Sequence, residues 1–171
     1  MSKIAVDAHR LPLLLTELRL PAIGRLWPDL AAQADKEGWP AARFLSALAE
    51  FEVAERTRRR IERHLAEARL PSGKTLDSFE FHAVPMLSKA QVMALAAGDS
   101  WLATGANLLL FGPPGSGKSH LAAALGRALI EHGSRVLFIR TTDLVQRLQA
   151  ARQTLALPRL KCSRELGCCL T

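Results

Sequence analysis

One octet in this chain has the residue types and the spacing to hold a run of phosphates. Gly112-Pro113-Pro114-Gly115-Ser116-Gly117-Lys118-Ser119 fits G-x-x-x-x-G-K-[ST]. Glycines let the backbone take left-handed conformations, so that successive N–H groups aim at phosphate oxygens. A helix opening at Lys118 adds the partial positive charge of its N-terminus. Lys118 supplies a point charge for the β- and γ-phosphates, and the Ser119 hydroxyl is a ligand for Mg²⁺. His120 follows on the first helical turn, close enough to approach phosphate, although exposed helix surface is the plainer reading. The competing interpretation of the octet is a Gly/Pro-rich turn that binds nothing.

Hydrolysis makes a further demand. A nucleotide-hydrolysing site of this kind needs an acid to complete the Mg²⁺ shell and a group to position water. After Ser119 the acids are Glu131, Asp143 and Glu165, and none follows an apolar run of strand length. Asp143 is better explained as a helix-start residue. The sequence therefore supports nucleotide binding and withholds support for catalysis.

The flanks of the octet set its context. Asn107-Leu108-Leu109-Leu110-Phe111 is a continuous apolar run, as fully buried parallel strands are. A helix is expected from Lys118 to about His132, with Leu121, Ala124, Leu125, Ala128 and Leu129 on one face and Gly133 closing it. Arg135–Arg140 is a second strand of the buried kind. Thr141-Thr142-Asp143 starts another helix, continuing to about Leu155. The order strand, loop, helix, strand, helix is an α/β unit.

The first 70 residues are helical in pattern. Leu11, Leu14, Leu15 and Leu18, then Ile23, Leu26, Trp27 and Leu30, recur at three- and four-residue spacing. Pro21 and Pro28 are expected to cut this stretch into short helices. Gly38-Trp39-Pro40 marks a turn, and a long helix runs from about Ala41 to Leu70 with Phe44, Leu48, Phe51, Ile61 and Leu65 on one side. Pro71-Ser72-Gly73 ends it. A connector over 71–105 contains one helix, about Ser88 to Ala97.

Composition excludes several classes. The chain has 171 residues, 49% hydrophobic and 23% charged, which is globular. No apolar run has the length of a membrane span, and there is no cleavable leader pattern. The three cysteines all follow residue 160, which is no secreted disulfide framework, so a reducing cytoplasm is expected. Cys162, Cys168 and Cys169 also lack zinc spacing. The net charge is +7, and residues 106–171 hold nine Lys and Arg against three Asp and Glu. Such a balance favours polyanionic partners. Arg56, Arg59, Arg60 and Arg63 share one helix face and are the candidate phosphate contacts for nucleic acid. The alternative is a solvated face, because Glu52–Arg56, Glu55–Arg59 and Arg63–Glu67 are each four apart and can pair.

GANLLLFGPPGSGKSHLAAALGRALIEHGSRVLFIRTTDLVQRL resembles the AAA+ core of the IstB-like helper ATPases of bacterial insertion sequences, relatives of the DnaC-type helicase loaders. The upstream Pro71-x-x-Lys74-Thr75-Leu76-Asp77-x-Phe79-x-Phe81 is similar to that family as well. The resemblance covers roughly residues 10–157. It implies an α/β chain in which an N-terminal α-helical domain precedes a parallel-sheet P-loop NTPase domain. It also implies ATP and Mg²⁺ as cofactors, self-association, and double-stranded DNA and a cognate transposase as partners. Gly112, Pro113, Pro114, Gly115, Ser116, Gly117, Lys118, Ser119 and His120 are the nucleotide-binding positions it assigns. After about Leu157 the chain departs from the family's pattern, so the P-loop domain is expected to be incomplete, with residues 158–171 a tail from a frameshift or early stop. A helicase-loader ATPase of replication, or an inactive remnant acting through its helical domain, are the alternative functions.

Overall fold

The structure, a computed structural model, describes residues 10–98, 101–153 and the backbone of 169–170. The tail cysteines Cys162 and Cys168 and the end of the last expected helix lie outside the described residues. By packing, the chain divides into two compact units, Met1–Arg59 and Arg60–Thr171. The division falls inside the longest helix.

In the first unit, α1 (Leu11–Glu17) packs on α2 (Pro21–Glu37), and α3 (Ala41–Ala68) begins. Buried Leu15, Ala22, Ala34 and Leu48 are small or branched, as packed helices require. Pro21 opens α2 as expected, but Pro28 lies inside it, so the anticipated break does not occur. An internal proline forfeits one hydrogen bond, and here a contact remote in sequence offsets that loss. Leu20, the residue before α2, offers no side-chain cap. The carboxylate of Glu52, 4% exposed, accepts from the N–H groups of Ala22 at 2.9 Å and Ile23 at 3.2 Å instead. An anion thus meets two of the orphan donors at the positive end of α2.

In the second unit, α5 (Lys118–Glu131) is the centre. Eight of its residues are buried, from Leu121 to Ile130. Near its start, Leu121 and Leu125 pack with Phe79 and with Val92 and Ala96 of α4 (Lys89–Ala97). Near its end, Leu129 and Ile130 pack with Ala68 and Val136, flanked by Ile61, Leu65 and Trp101. The Trp101 indole donates to the Leu95 carbonyl at 2.9 Å, a packing role. Ser88 caps α4 by accepting from Gln91 N–H, as the sequence predicts.

The two expected strands correct the sequence reading. Residues 106–113 form no strand, and of 135–140 only Ile139–Arg140 does, as β1. β1 pairs in parallel with β2 (Cys169–Leu170), and this two-residue ladder is the whole sheet among the described residues. The run 107–111 is covered on one face alone. Leu108 and Leu110 pack against the Phe79–Val92–Leu121–Leu125 cluster, whereas Leu109 is 71% and Phe111 87% exposed. Burial that alternates with period two is what an extended segment gives when one side only is packed. The other run is held from outside the strand repertoire: Phe138 N–H donates to the Ala68 carbonyl at 2.8 Å, meeting an orphan acceptor at the end of α3. α6 (Thr141–Gln153) then begins where the Thr-Thr-Asp signal places it, with Asp143 in its first turn.

Candidate functional site

The loop 112–117 joins the half-packed run 107–111 to α5. Its geometry follows from its glycines. Gly115 and Gly117 both have φ of +80°, a conformation that side chains rarely adopt. Gly117 also has no room for a side chain, since a Cβ there would stand 3.0 Å from Cε2 of Phe79. Gly117 is the N-cap of α5 and offers no capping side chain. Its carbonyl accepts from Leu121 N–H at 2.8 Å and so starts the helix. Among the described residues, the amides of Gly117, Lys118 and Ser119 donate to no backbone carbonyl. These are the orphan donors of a helix start, gathered at one exposed spot.

Lys118 lies over this loop. Its ammonium donates to the carbonyls of Gly112 at 2.9 Å and Pro113 at 2.7 Å and approaches Ser116 Oγ at 3.5 Å. The charge is therefore held above the loop by weak neutral acceptors. An anion of phosphate charge is a stronger partner for it than a carbonyl. The Ser119 hydroxyl is exposed and lines a cleft of about 570 Å³ with Pro71, Lys74, His120, Phe138, Arg140, Thr141 and Thr142. No carboxylate is among those lining residues. Asp143 lines a neighbouring cleft of about 290 Å³, together with Arg69, Arg140 and Arg147. Of the residues lining the larger cleft, Ser119 is the one that would offer a Mg²⁺ ion a ligand under the sequence reading.

His120 departs from the plain expectation of exposed helix surface. It is half-buried, its Nε2 lies 3.2 Å from both Ser78 Oγ and the Thr75 carbonyl, and its ring meets Phe79 edge-on at 5.3 Å. The upstream Thr75-Leu76-Asp77-Ser78-Phe79 segment thus packs directly on the start of α5. Sequence reasoning noted both segments and missed their contact, because 42 residues separate His120 from Ser78.

The arginines of α3 divide into two kinds. Arg56 donates to Glu52 at 3.0 Å and to the Arg19 carbonyl at 2.8 Å. Arg59 pairs with Glu55 at 2.8 Å, and Arg58 shares the same carboxylate. Those two expected pairs form. The third does not: Glu67 pairs with Arg135 at 3.2 Å instead of with Arg63. Arg63 is exposed, and the Arg60 guanidinium lies beside Gly133, just beyond the C-terminus of α5. Among the described residues no cluster of His, Cys, Asp and Glu is built to hold a metal, and no helix is long and apolar enough to cross a membrane.

Comparison with known proteins identifies the family. A family model described as IstB-like ATP binding protein matches residues 13–161. An insertion sequence ATP-binding protein of Sinorhizobium fredii is 74% identical over 152 residues, covering 89% of this chain and 51% of that protein. The insertion sequence IS21 ATP-binding protein of Pseudomonas aeruginosa is 37% identical, covering 85% of this chain and 54% of its own length. That of IS5376 from Geobacillus stearothermophilus is 35% identical, covering 80% and 54%. The chain spans about half the length of these relatives. The extent of the family match, together with the 74% identity, establishes that this chain belongs to the IstB-like ATP binding protein family.

Proposed function

We propose that residues 112–119 bind ATP with Mg²⁺, and that the chain serves as a helper in the transposition of an insertion sequence. One observation carries the nucleotide part: three successive amides, Gly117 to Ser119, have no backbone acceptor among the described residues, and the Lys118 ammonium is held by carbonyls of the loop that leads to them. Phosphate oxygens satisfy those donors, and the helix N-terminus favours their charge. Ser119 provides one hard oxygen for Mg²⁺. No acid is among the described residues that line the cleft; nucleotide binding is the activity proposed for this chain.

In this reading residues 106–157 are the nucleotide-binding part, 71–105 the connector and 1–70 the helical part that meets DNA and other copies. Double-stranded DNA, through its phosphates, and the cognate transposase are the partners. Of the four candidate arginines, Arg60 and Arg63 are in no glutamate ion pair among the described residues, whereas Arg56 and Arg59 would first have to leave theirs.

The test is equilibrium binding of a fluorescent ATP analogue, with and without Mg²⁺. The wild-type chain is expected to bind, and Lys118→Ala to weaken binding at least about tenfold, the scale of one charge-assisted phosphate contact. No binding by the wild-type chain, or equal binding by the variant, overturns the reading.

A further inference from the structure

The first turn of α5 carries the amides that the nucleotide reading needs, and it is held in part from within, by the Leu121 N–H on the Gly117 carbonyl and the Lys118 ammonium on the Gly112 and Pro113 carbonyls. Gly117 has no capping side chain, and Ser119 faces outward. Further contacts reach it from residues 75–79, at two points. Phe79 presses on Gly117, where even a methyl group would be 3.0 Å from the ring. Three residues on, His120 reaches back to the same segment. The acceptors assign its tautomer. A carbonyl oxygen only accepts, so Nε2 carries a hydrogen, shared between the Thr75 carbonyl and Ser78 Oγ at 3.2 Å each. The Ser78 hydroxyl has its own acceptor in the Gly73 carbonyl at 3.0 Å, and it accepts from Thr75 N–H at 3.0 Å. The segment that receives His120 is thus already ordered by its own hydrogen bonds.

We propose that His120 is a positioning residue for the nucleotide site: its Nε2–H locks the first turn of α5 to the Thr75–Phe79 segment and so holds the phosphate-facing amides in place. His120 acts through the backbone of its own helical turn, and its hydrogen bonds go to the Thr75–Ser78 segment. The proposal rests on the nucleotide reading above. It adds that an anion site built from backbone amides is only as preorganised as the turn that bears them.

Three variants separate this role from simple packing. His120→Phe keeps an aromatic ring against Phe79 and removes the donor. His120→Gln removes the ring and keeps an N–H donor at similar reach. Ser78→Ala removes one acceptor. The readouts are affinity for a fluorescent ATP analogue, amide hydrogen exchange at residues 117–121, and Tm. His120→Phe is expected to weaken binding about tenfold and to speed exchange at 119–121 with little change in Tm, tenfold being the upper scale for one hydrogen bond. Ser78→Ala shifts both readouts in the same direction by less. His120→Gln returns affinity to within about threefold of wild type, because the donor is restored. Wild-type affinity and exchange in His120→Phe overturn the proposal. So does a loss that tracks a falling Tm and is not rescued by glutamine. If the wild-type chain binds no nucleotide, the nucleotide reading fails alone. The exchange rates at 117–121 still decide whether His120 holds the turn.

Discussion

The helices of residues 10–59 and the two apolar runs at 107–111 and 135–140 carry equally strong local patterns, and they end differently. α2 survives an internal proline and an uncapped start because a helix closes its hydrogen bonds within itself and needs help only at its ends. That help is a single carboxylate, Glu52, thirty residues away. An extended run has no such economy. Every second backbone group must find a neighbouring strand. Among the described residues only Ile139 and Arg140 do. Pattern alone reveals that a segment is apolar and extended; whether it becomes a strand depends on a partner elsewhere.

Substitutions can break or sharpen this contrast. The largest effect is expected at the end of α5. Leu129 is 1% exposed among Ala68, Ile130 and Val136. Leu129→Ala should cost about 3 kcal/mol in urea unfolding, the usual range for a cavity in a packed core. Leu109→Ser removes a leucine from the middle of an equally apolar run, yet its side chain is 71% exposed. It should shift stability by less than about 0.5 kcal/mol. A loss at Leu109 comparable with that at Leu129 would mean that the outer face of 107–111 is covered after all.

Next is Glu52. Glu52→Ala strips two amides of α2 of their acceptor and leaves Arg56 with the Arg19 carbonyl in place of a carboxylate. A loss of about 2 kcal/mol is expected, the scale of a helix cap made by a charged group. Glu52→Gln keeps an acceptor oxygen and should recover about half of it. Circular dichroism during urea titration reads both. If Glu52→Ala proves neutral, α2 depends on its packing with α1 alone and the contrast with the extended runs weakens.

Much of the scaffold was legible from sequence for the same reason that it is self-contained. The Ser88 cap and the Thr141 helix start depend on neighbours within a turn or two, whereas the expected α3 stripe holds at Leu48, Ile61 and Leu65 and fails at Phe51, which is 48% exposed. The octet is legible because its residues are contiguous and its left-handed glycines and helix start are local to it. What stayed hidden spans distance: Glu52 on Ala22, His120 on Ser78, Glu67 on Arg135 instead of Arg63. None of these has a periodic signature. The nearest available signal for His120 was its place directly after Ser119, combined with a Thr-x-x-Ser-Phe segment rich in small acceptors upstream. Spacing alone cannot join the two.

The smallest effect tests the most local contact of all, the glutamate–arginine pairing along α3. Glu55 is held down from an ordinary 4.5 to about 2, first by its hydrogen bond from Arg58 and then by Arg59, with desolvation opposing both. The unfolded chain therefore takes up a proton at Glu55 near pH 4.5, which the folded chain resists until about pH 2. The stabilisation is complete above pH 4.5 and is lost as the pH falls from there toward 2. Glu37 is also lowered, by hydrogen bonds from Gln33 and then Trp39, so some acid sensitivity must remain when Glu55 is removed. Glu55→Gln should thus make the fall of Tm between pH 4.5 and 2 shallower without abolishing it. At neutral pH the variant should cost little, since pairs with exposed arginines contribute little. An unchanged slope would mean that the Arg58 and Arg59 forks do not persist in solution. Arg59 would then join Arg60 and Arg63 as an available phosphate contact.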